Sequence, residues 1–369
     1  MAEREFVAES GKERVKVQTE KVKCDGCGAN MVFDADLQSL YCPHCGSKKS
    51  IGETKTARER DIMEGLSADS VWKPNETVVF RCDNCGAKVV LSKDETAKVC
   101  PFCGTAHVQK TEELAGLKPN AVMPFSFGQE KAIEYSKAWA KKRFFAPRKF
   151  KNNLNADNVN GVYAPCFTFD SHTYSTYHGR IGKHHTKVVG SGKNRHVVTY
   201  TEWQNISGNY ADAFDDVTIA AGDKCGQQEL DKLAPYDTNS GKEYKEQYLL
   251  GFMAYHYDHE LSECWGVAKS KIDAVIKKSI LSQYNYDVVD YLNVSTTHEN
   301  VTYKYVMIPI YVGNFTFKQK LYNFFVNGTT GKTYGKYPKS GLKIGGLLLF
   351  AATVIGIIAY IVVNSNSLG

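Results

Sequence analysis

Three signatures of common enzyme chemistry are missing from the 369 residues. There is no Walker-type phosphate loop and no dinucleotide-type Gly-x-Gly-x-x-Gly. There is no Gly-x-Ser-x-Gly nucleophile elbow. A nucleotide-driven motor is excluded with the first of these, and no other catalytic constellation stands out, so the expectation is a protein without enzymatic activity. An apolar leader is also missing: residues 1–20 are charged throughout, with no h-region of a secretory signal. The third absence is a surplus of cations near the N-terminus. Residues 1–110 hold seventeen Lys and Arg against seventeen Asp and Glu. Affinity for DNA or RNA comes from neutralising phosphates and needs a positive excess.

What the sequence does have is cysteine in a strict pattern. Eight of its eleven cysteines are one motif written twice. Cys24-x2-Cys27, fourteen residues, then Cys42-x2-Cys45 is the first copy; Cys82-x2-Cys85, fourteen residues, then Cys100-x2-Cys103 is the second. Each cysteine of the first recurs 58 positions later, inside matching flanks. Two thiolates on a tight knuckle can face one tetrahedral ion at about 2.3 Å, and two knuckles complete its shell. Gly after the second Cys lets the chain turn so that amide N–H groups point at sulfur. A closed shell of four thiolates has no open position for substrate, so such a site holds a fold and does not catalyse. Two Zn2+ ions are the expected cofactor, with Cys24, Cys27, Cys42, Cys45, Cys82, Cys85, Cys100 and Cys103 as ligands. Rival readings are disulfides, a redox Cys-x-x-Cys and iron in a rubredoxin-like site; a doubled four-member pattern disfavours the redox pair. Cys166, Cys225 and Cys264 read as free buried thiols.

Ile344 to Val363 is twenty residues without a charge. A helix of that length crosses a hydrocarbon core about 30 Å thick. Lys332, Lys336, Lys339 and Lys343 precede it, which puts the N-terminal bulk in the cytoplasm by the positive-inside rule. That compartment is reducing and keeps thiols available to metal. The expected localisation is therefore a single-pass cell-membrane protein, tail-anchored, with lipid bilayer as one partner.

The expected organisation is a flexible leader at 1–20, zinc ribbon 1 at 21–50, a linker at 51–77, zinc ribbon 2 at 78–110 and a connector at 111–127. An α+β domain follows at 128–338, then the transmembrane helix at 342–363 and a short tail at 364–369. The fold class is thus two small zinc-ribbon β modules plus an α+β domain with an antiparallel sheet and one C-terminal transmembrane helix. Within the domain, residues 128–145 pattern as an amphipathic helix whose basic residues run on to Lys151. That run is either a solvated face or a surface for anionic lipid or an acidic partner. Residues 268–284 give a second helix. Strands are expected at 161–177, 187–203, 249–257, 288–297, 301–312, 315–326 and 330–334. Residues 179–192, rich in Gly and basic residues, are expected to form a long hairpin. A short helix falls within 212–233, and Asn300, Gly313-Asn314 and Asn327-Gly328 are expected turns. Val162–Phe167 also resembles Val306–Tyr311, either a duplicated strand pair or a chance likeness. His256 and His259 would point to opposite faces of a strand, which disfavours a metal site there.

The doubled ribbons, Met123-Pro-Phe-Ser-Phe, Gly161-Val-Tyr-Ala-Pro-Cys-Phe, and Val326-Asn-Gly-Thr-Thr-Gly-Lys332 before a terminal span together resemble one bacterial family. These are the zinc-ribbon membrane proteins known as TFIIB-type, some of which carry a primosomal-helicase label that no residue here supports. Some members are similar to membrane partners that anchor a phage-shock-protein-A homologue during envelope stress. The resemblance implies a membrane-anchored adaptor that recruits a cytoplasmic protein. The alternative is a zinc-ribbon nucleic-acid-binding protein tethered at the membrane, which the charge distribution disfavours: the whole excess, twenty-nine basic against twenty-three acidic residues, falls after residue 110.

Overall fold

A computed structural model of the chain describes residues 22–66, 77–92, 100–105, 108–110, 116–152 and 159–366. The expected leader at 1–20 lies outside them. Ribbon 1 is a three-stranded sheet of β1 (Val32–Asp34), β2 (Ser39–Tyr41) and β3 (Lys48–Lys49). The stretch expected as a linker supplies β4 (Arg60–Asp61) and α1 (Ile62–Leu66). Ribbon 2 contains β5 (Thr77–Cys82), β6 (Lys88–Ser92) and β7 (Val108–Lys110). Then come β8 (Ala121–Val122), α2 (Gln129–Lys141), α3 (Arg148–Asn152), β9 (Val159–Val189), β10 (His196–Ala220) and α4 (Gln227–Leu233). The chain continues through β11 (Lys242–Glu243), β12 (Met253–Tyr255), α5 (Leu261–Leu281), β13 (Val288–Phe317), β14 (Lys320–Asn327), β15 (Thr333–Gly335) and α6 (Gly341–Asn366).

Three very long strands dominate. β9 is central, antiparallel to β10 on one side and to β13 on the other. At about 3.3 Å per residue its 31 residues reach about 100 Å. Along its outer half, burial alternates strictly from Ser171 to Ile181. One face is covered by α5, whose Ile272, Ile276 and Ile280 recur at helical spacing and pack on Tyr177, Ile181 and Ile206. Polar atoms on that face find one another: Ser175 Oγ lies 2.9 Å from Thr296 Oγ1, and Tyr177 OH 2.7 Å from Tyr284 OH. Glu260 and Glu263 form a capping box that starts α5.

The three long strands run further than local patterning suggested, whereas the strand expected at 249–257 shrinks to Met253–Tyr255 and that at 330–334 to Thr333–Gly335. Residues 179–189 continue β9, and the hairpin tip comes only at residues 190–195. Gly179 and Gly182 are not turn formers. A Cβ on Gly179 would lie 2.7 Å from the Tyr291 carbonyl oxygen, and one on Gly182 would lie 2.6 Å from Thr201, so both exist for close packing. β13 fuses two expected strands through a bulge at Asn300, whose φ is 51°. The turn expected at Gly313-Asn314 is instead strand, paired with Phe324 and Asn323 of β14, and a Cβ on Gly313 would meet the Phe324 ring at 2.0 Å. The reversal falls at Lys318 and Gln319, with φ of 50° and 63°. Two consecutive positive φ angles are what a two-residue hairpin turn needs.

The likeness between Val162–Phe167 and Val306–Tyr311 has a structural meaning. The two segments pair antiparallel, with Val162 opposite Ile310 and Cys166 opposite Val306. Their surroundings repeat as well. With α3 as an addition in the first half, the run β8, α2, β9, β10 has the same order as β12, α5, β13, β14. β12 lies parallel to β9 and β8 parallel to β13, so each half lends its first strand to the other half's long strand. The Pro165 carbonyl accepts from Ala221 N, and the Pro309 carbonyl from Gly328 N, at matching places in the two halves.

Both ribbons are built into this body. β6 pairs with β12, which joins ribbon 2 to the large sheet. Ribbon 1 is docked by Phe33, which stacks edge-on against Tyr248 at 5.4 Å and donates its N–H to the Leu250 carbonyl. Gln38 Nε2 donates to the Phe125 carbonyl, and Gly128 N to Asp36 Oδ2. β4 pairs with β13 at Thr302 and Tyr303. Phe125, stacked on Phe252 at 4.2 Å and flanked by Tyr163 and Tyr311, lies where the two halves meet.

Candidate metal centres

Each ribbon brings its four cysteines to one point. The sulfur atoms of Cys24, Cys27, Cys42 and Cys45 all lie within 4.8 Å of one another, and so do those of Cys82, Cys85, Cys100 and Cys103. The closest approaches are 3.4 Å for Cys24–Cys45, 3.5 Å for Cys27–Cys42, and 3.6 Å for both Cys82–Cys103 and Cys85–Cys100. A tetrahedron with metal–sulfur bonds of about 2.3 Å has edges of about 3.8 Å. A disulfide needs about 2.05 Å, and every one of these cysteines is free. The donor set therefore fits a metal ion and not a pair of disulfides.

The same local structure is built four times. In each knuckle the first Cys donates its N–H five residues ahead: Cys24 to Ala29, Cys42 to Ser47, Cys82 to Ala87, Cys100 to Thr105. The Gly after the second Cys returns an N–H to the first Cys carbonyl in all four. Gly28, Gly46, Gly86 and Gly104 hold φ between 72° and 79°, which an L side chain rarely adopts. This turn leaves amide N–H groups facing sulfur. Those of Gly26 and Cys27 lower the Cys24 thiol. The Ser47 hydroxyl and amide hold Cys45 down to about 6. Cys85 is held down to about 5, chiefly by the Cys100 thiol, and Cys100 is pushed up by the same contact. Each ribbon thus has at least one thiol, Cys45 or Cys85, held toward the thiolate that a cation takes up, while Cys27 and Cys82 are shifted the other way.

The two sites differ in setting. In ribbon 1, Cys24 and Cys42 are buried while Cys27 and Cys45 are exposed, with Asp25 and Lys49 paired at 3.1 Å nearby. In ribbon 2, Cys82 and Cys100 belong to a core cluster that includes Val162, Tyr255 and Ile308. Phe102 packs on Tyr255 at 5.0 Å, and Lys224 Nζ donates to the Cys85 carbonyl.

Cys166, Cys225 and Cys264 are free and buried, as their isolation in sequence suggested; burial pushes Cys264 up to about 12. His256 is buried and stacked on Tyr257, whereas His259 faces out with Nε2 2.9 Å from Asp223. A third cluster, Glu59 with Asp170 and Asp215, is one that sequence reading missed. Its members are far apart in the chain, and only the fold brings them together. Lys304, 2% exposed, sits beside Glu59 at 3.1 Å and pairs with Asp216 at 2.9 Å, so one edge of the cluster is tied to a buried ammonium, while Asp170 accepts from Asp216 N and the Thr302 hydroxyl. Burial and the neighbouring Glu59 carboxylate push Asp170 up to about 7.

α6 is the last element. Its residues Gly341–Ile361 form a helix long and apolar enough to cross a membrane, and none of that stretch is buried against the protein.

Fold and sites together define a class: a protein with two four-cysteine ribbons fused to a duplicated β-rich domain, ending in an apolar helix. No family model matches the chain, and no solved structure matches it. Among curated proteins it is similar to an uncharacterized Bacillus subtilis (strain 168) protein, YdjG. The two are 28% identical over 328 residues, covering 87% of this chain and 91% of that one.

Proposed function

We propose that the chain is a non-enzymatic, membrane-anchored adaptor whose zinc-stabilised ribbons recruit a cytoplasmic protein. The observation that carries this is the pairing of two closed four-thiolate sites with an unburied apolar helix on one folded body. Zinc suits the donor set, since it takes four thiolates in a tetrahedron and needs no redox partner. When bound it supplies cross-linking, which fixes surfaces too small to hold a core of their own. α6 confines those surfaces to the bilayer plane and so raises their effective concentration for a partner on the same leaflet. The Lys residues just before α6 orient the bulk towards the cytoplasm. The resemblance to zinc-ribbon membrane proteins points to envelope stress as the setting, with a phage-shock-protein-A homologue as the partner.

The test is purification of the tagged full chain from detergent-solubilised membranes, beside Cys42→Ser and a chain ending at residue 341. The expected full chain floats with membranes, holds two zinc ions and retains a cytoplasmic protein that both variants lose. A metal-free full chain, or one that stays soluble without detergent, overturns the proposal. A retained nucleic acid with steep salt dependence supports the tethered nucleic-acid binder in its place.

A further inference from the structure

The join between α6 and the domain is tight. Ser340 N donates to the Phe145 carbonyl at 2.8 Å. Lys343 Nζ reaches back to the carbonyls of Phe144 at 2.8 Å and Ala146 at 2.9 Å. The first turn of α6 is therefore clamped to the corner between α2 and α3. That corner is itself fixed to the sheet: Trp139 stacks on Phe324 at 5.9 Å, and Phe150 meets Phe315 at 5.1 Å. Arg143 bridges Trp139 and Tyr337 from above their rings.

The corner carries charge of one sign. Residues 135–152 contain seven Lys and Arg and no Asp or Glu; residues 328–344 contain four Lys and again no acid. Lys141, Lys142, Arg148 and Lys149 are exposed. At their centre stands Phe144, a large apolar side chain left 66% exposed, with Lys343 Nζ 5.7 Å from its ring.

Depth follows from helix geometry. At 1.5 Å per residue the 21 residues from Gly341 to Ile361 span about 30 Å, the thickness of a hydrocarbon core. If they fill it, Lys343 stands at headgroup level, and the carbonyls that it binds stand there too. Exposed aromatics and lysines are the side chains that favour that layer.

We infer that the α2–α3 corner is a lipid-binding surface for the anionic headgroups of the leaflet that α6 enters, with Phe144 inserted among the acyl-chain ends. It rests on the reading of α6 as a membrane anchor and adds a second, charge-selective contact. The join at Ser340 and Lys343 then makes the bilayer set the tilt of the whole domain, in place of a loose tether.

The experiment compares the full chain in nanodiscs of phosphatidylcholine alone and of phosphatidylcholine with roughly a third phosphatidylglycerol. Amide hydrogen exchange of residues 141–152 is the readout. The expected result is exchange slower by about fivefold or more in the anionic discs, a difference that falls away as salt rises from about 0.05 to about 0.5 M. The triple variant K141E/K142E/K149E should lose the difference while α5 exchanges as before. Equal exchange in the two discs overturns the inference even though the chain remains in them. A chain that does not enter discs at all overturns the anchor reading instead, so the two failures are told apart. Should the triple variant not fold, the salt series on the unaltered chain decides alone: a difference that survives high salt is not a headgroup effect and sinks the proposal.

Discussion

Replacing Phe102 by Ala tests whether ribbon 2 and the large sheet are one cooperative unit. Phe102 is 2% exposed, lies two residues past Cys100, and packs on Tyr255 of β12 at 5.0 Å. Its backbone N–H, which faces the Cys100 sulfur, is kept in the variant, and none of the four cysteines is changed, so the substitution falls on the packing of the joint. Truncating a buried Phe costs about 3–5 kcal/mol, the lost transfer energy plus the cavity left behind. With a urea dependence of about 3 kcal/mol/M, the midpoint should fall by about 1–1.7 M. The assay is urea unfolding of the full chain in mild detergent, followed at the buried tryptophan Trp139 and at Trp265, which packs on Phe169. Both probes lie far from ribbon 2 in sequence, so they move only if loosening the ribbon loosens the domain. Metal content should stay at two ions per chain. A midpoint within about 0.3 M of the unaltered chain, with both ions kept, would show that the ribbon is an independent bead and that the β6–β12 pairing contributes nothing to stability.

Four further outcomes follow from the same geometry. Cys42→Ser should lower metal content from about two ions to about one by elemental analysis, since a three-thiolate shell loses the closed tetrahedron. Lys304→Met removes the ammonium between Glu59 and Asp216 and leaves buried carboxylate uncompensated; a loss of about 3–5 kcal/mol in the urea midpoint is expected. Gly313→Ala drives a methyl into the Phe324 ring and should cost about 1–3 kcal/mol, read in the same unfolding curve. Asp170 gives a pH signature. Its folded value, raised to about 7, exceeds the ordinary carboxyl range, so the folded state holds the proton more tightly. Its contribution is therefore present at low pH and fades as pH rises from about 4 through about 7. Asp170→Asn mimics the protonated acid and should remove that decline, which is about 1–2 kcal/mol after discounting for a half-exposed carboxyl.

The two four-cysteine clusters were legible because their chemistry is local. A knuckle is five or six residues with a Gly in a fixed place, and four such units repeat in register. The apolar helix was legible for the same reason: its length alone is the signal. What escaped was everything decided at a distance. Residues 67–76 of the expected linker lie outside the described residues, but 51–66 do not, and there Arg60 and Asp61 become strand because β13 offers them an edge at Thr302 and Tyr303. The glycines at 179, 182 and 313 looked like punctuation and proved to be places where a neighbouring ring or carbonyl leaves no room for a Cβ. The Lys304 network joins Glu59, just before β4, to Asp216 of β10 and Lys304 of β13, and no local pattern in sequence foretells that meeting.

The duplication explains why both ribbons sit where they do. In each half a short strand, β8 or β12, crosses over to pair with the other half's long strand. A two-residue or three-residue strand cannot hold that position by its own ladder. β12 is flanked on its outer side by β6 of ribbon 2, and β8 by β11. Thr56, just after ribbon 1, bridges to Lys242 of β11, so the segment leaving the first ribbon closes that outer edge in turn. Each short strand is thus held from outside by a segment whose path depends on a four-cysteine site. The prediction that separates this from ribbons acting only as ornaments is a pair of single-site losses. Cys42→Ser should raise hydrogen exchange first in β8 and β11, and Cys100→Ser first in β12. Both should spare the outer halves of β9 and β10 under α5, where packing of Ile272, Ile276 and Ile280 is remote from either metal. Equal loosening of β8 and β12 in both variants would refute the assignment of one ribbon to each edge.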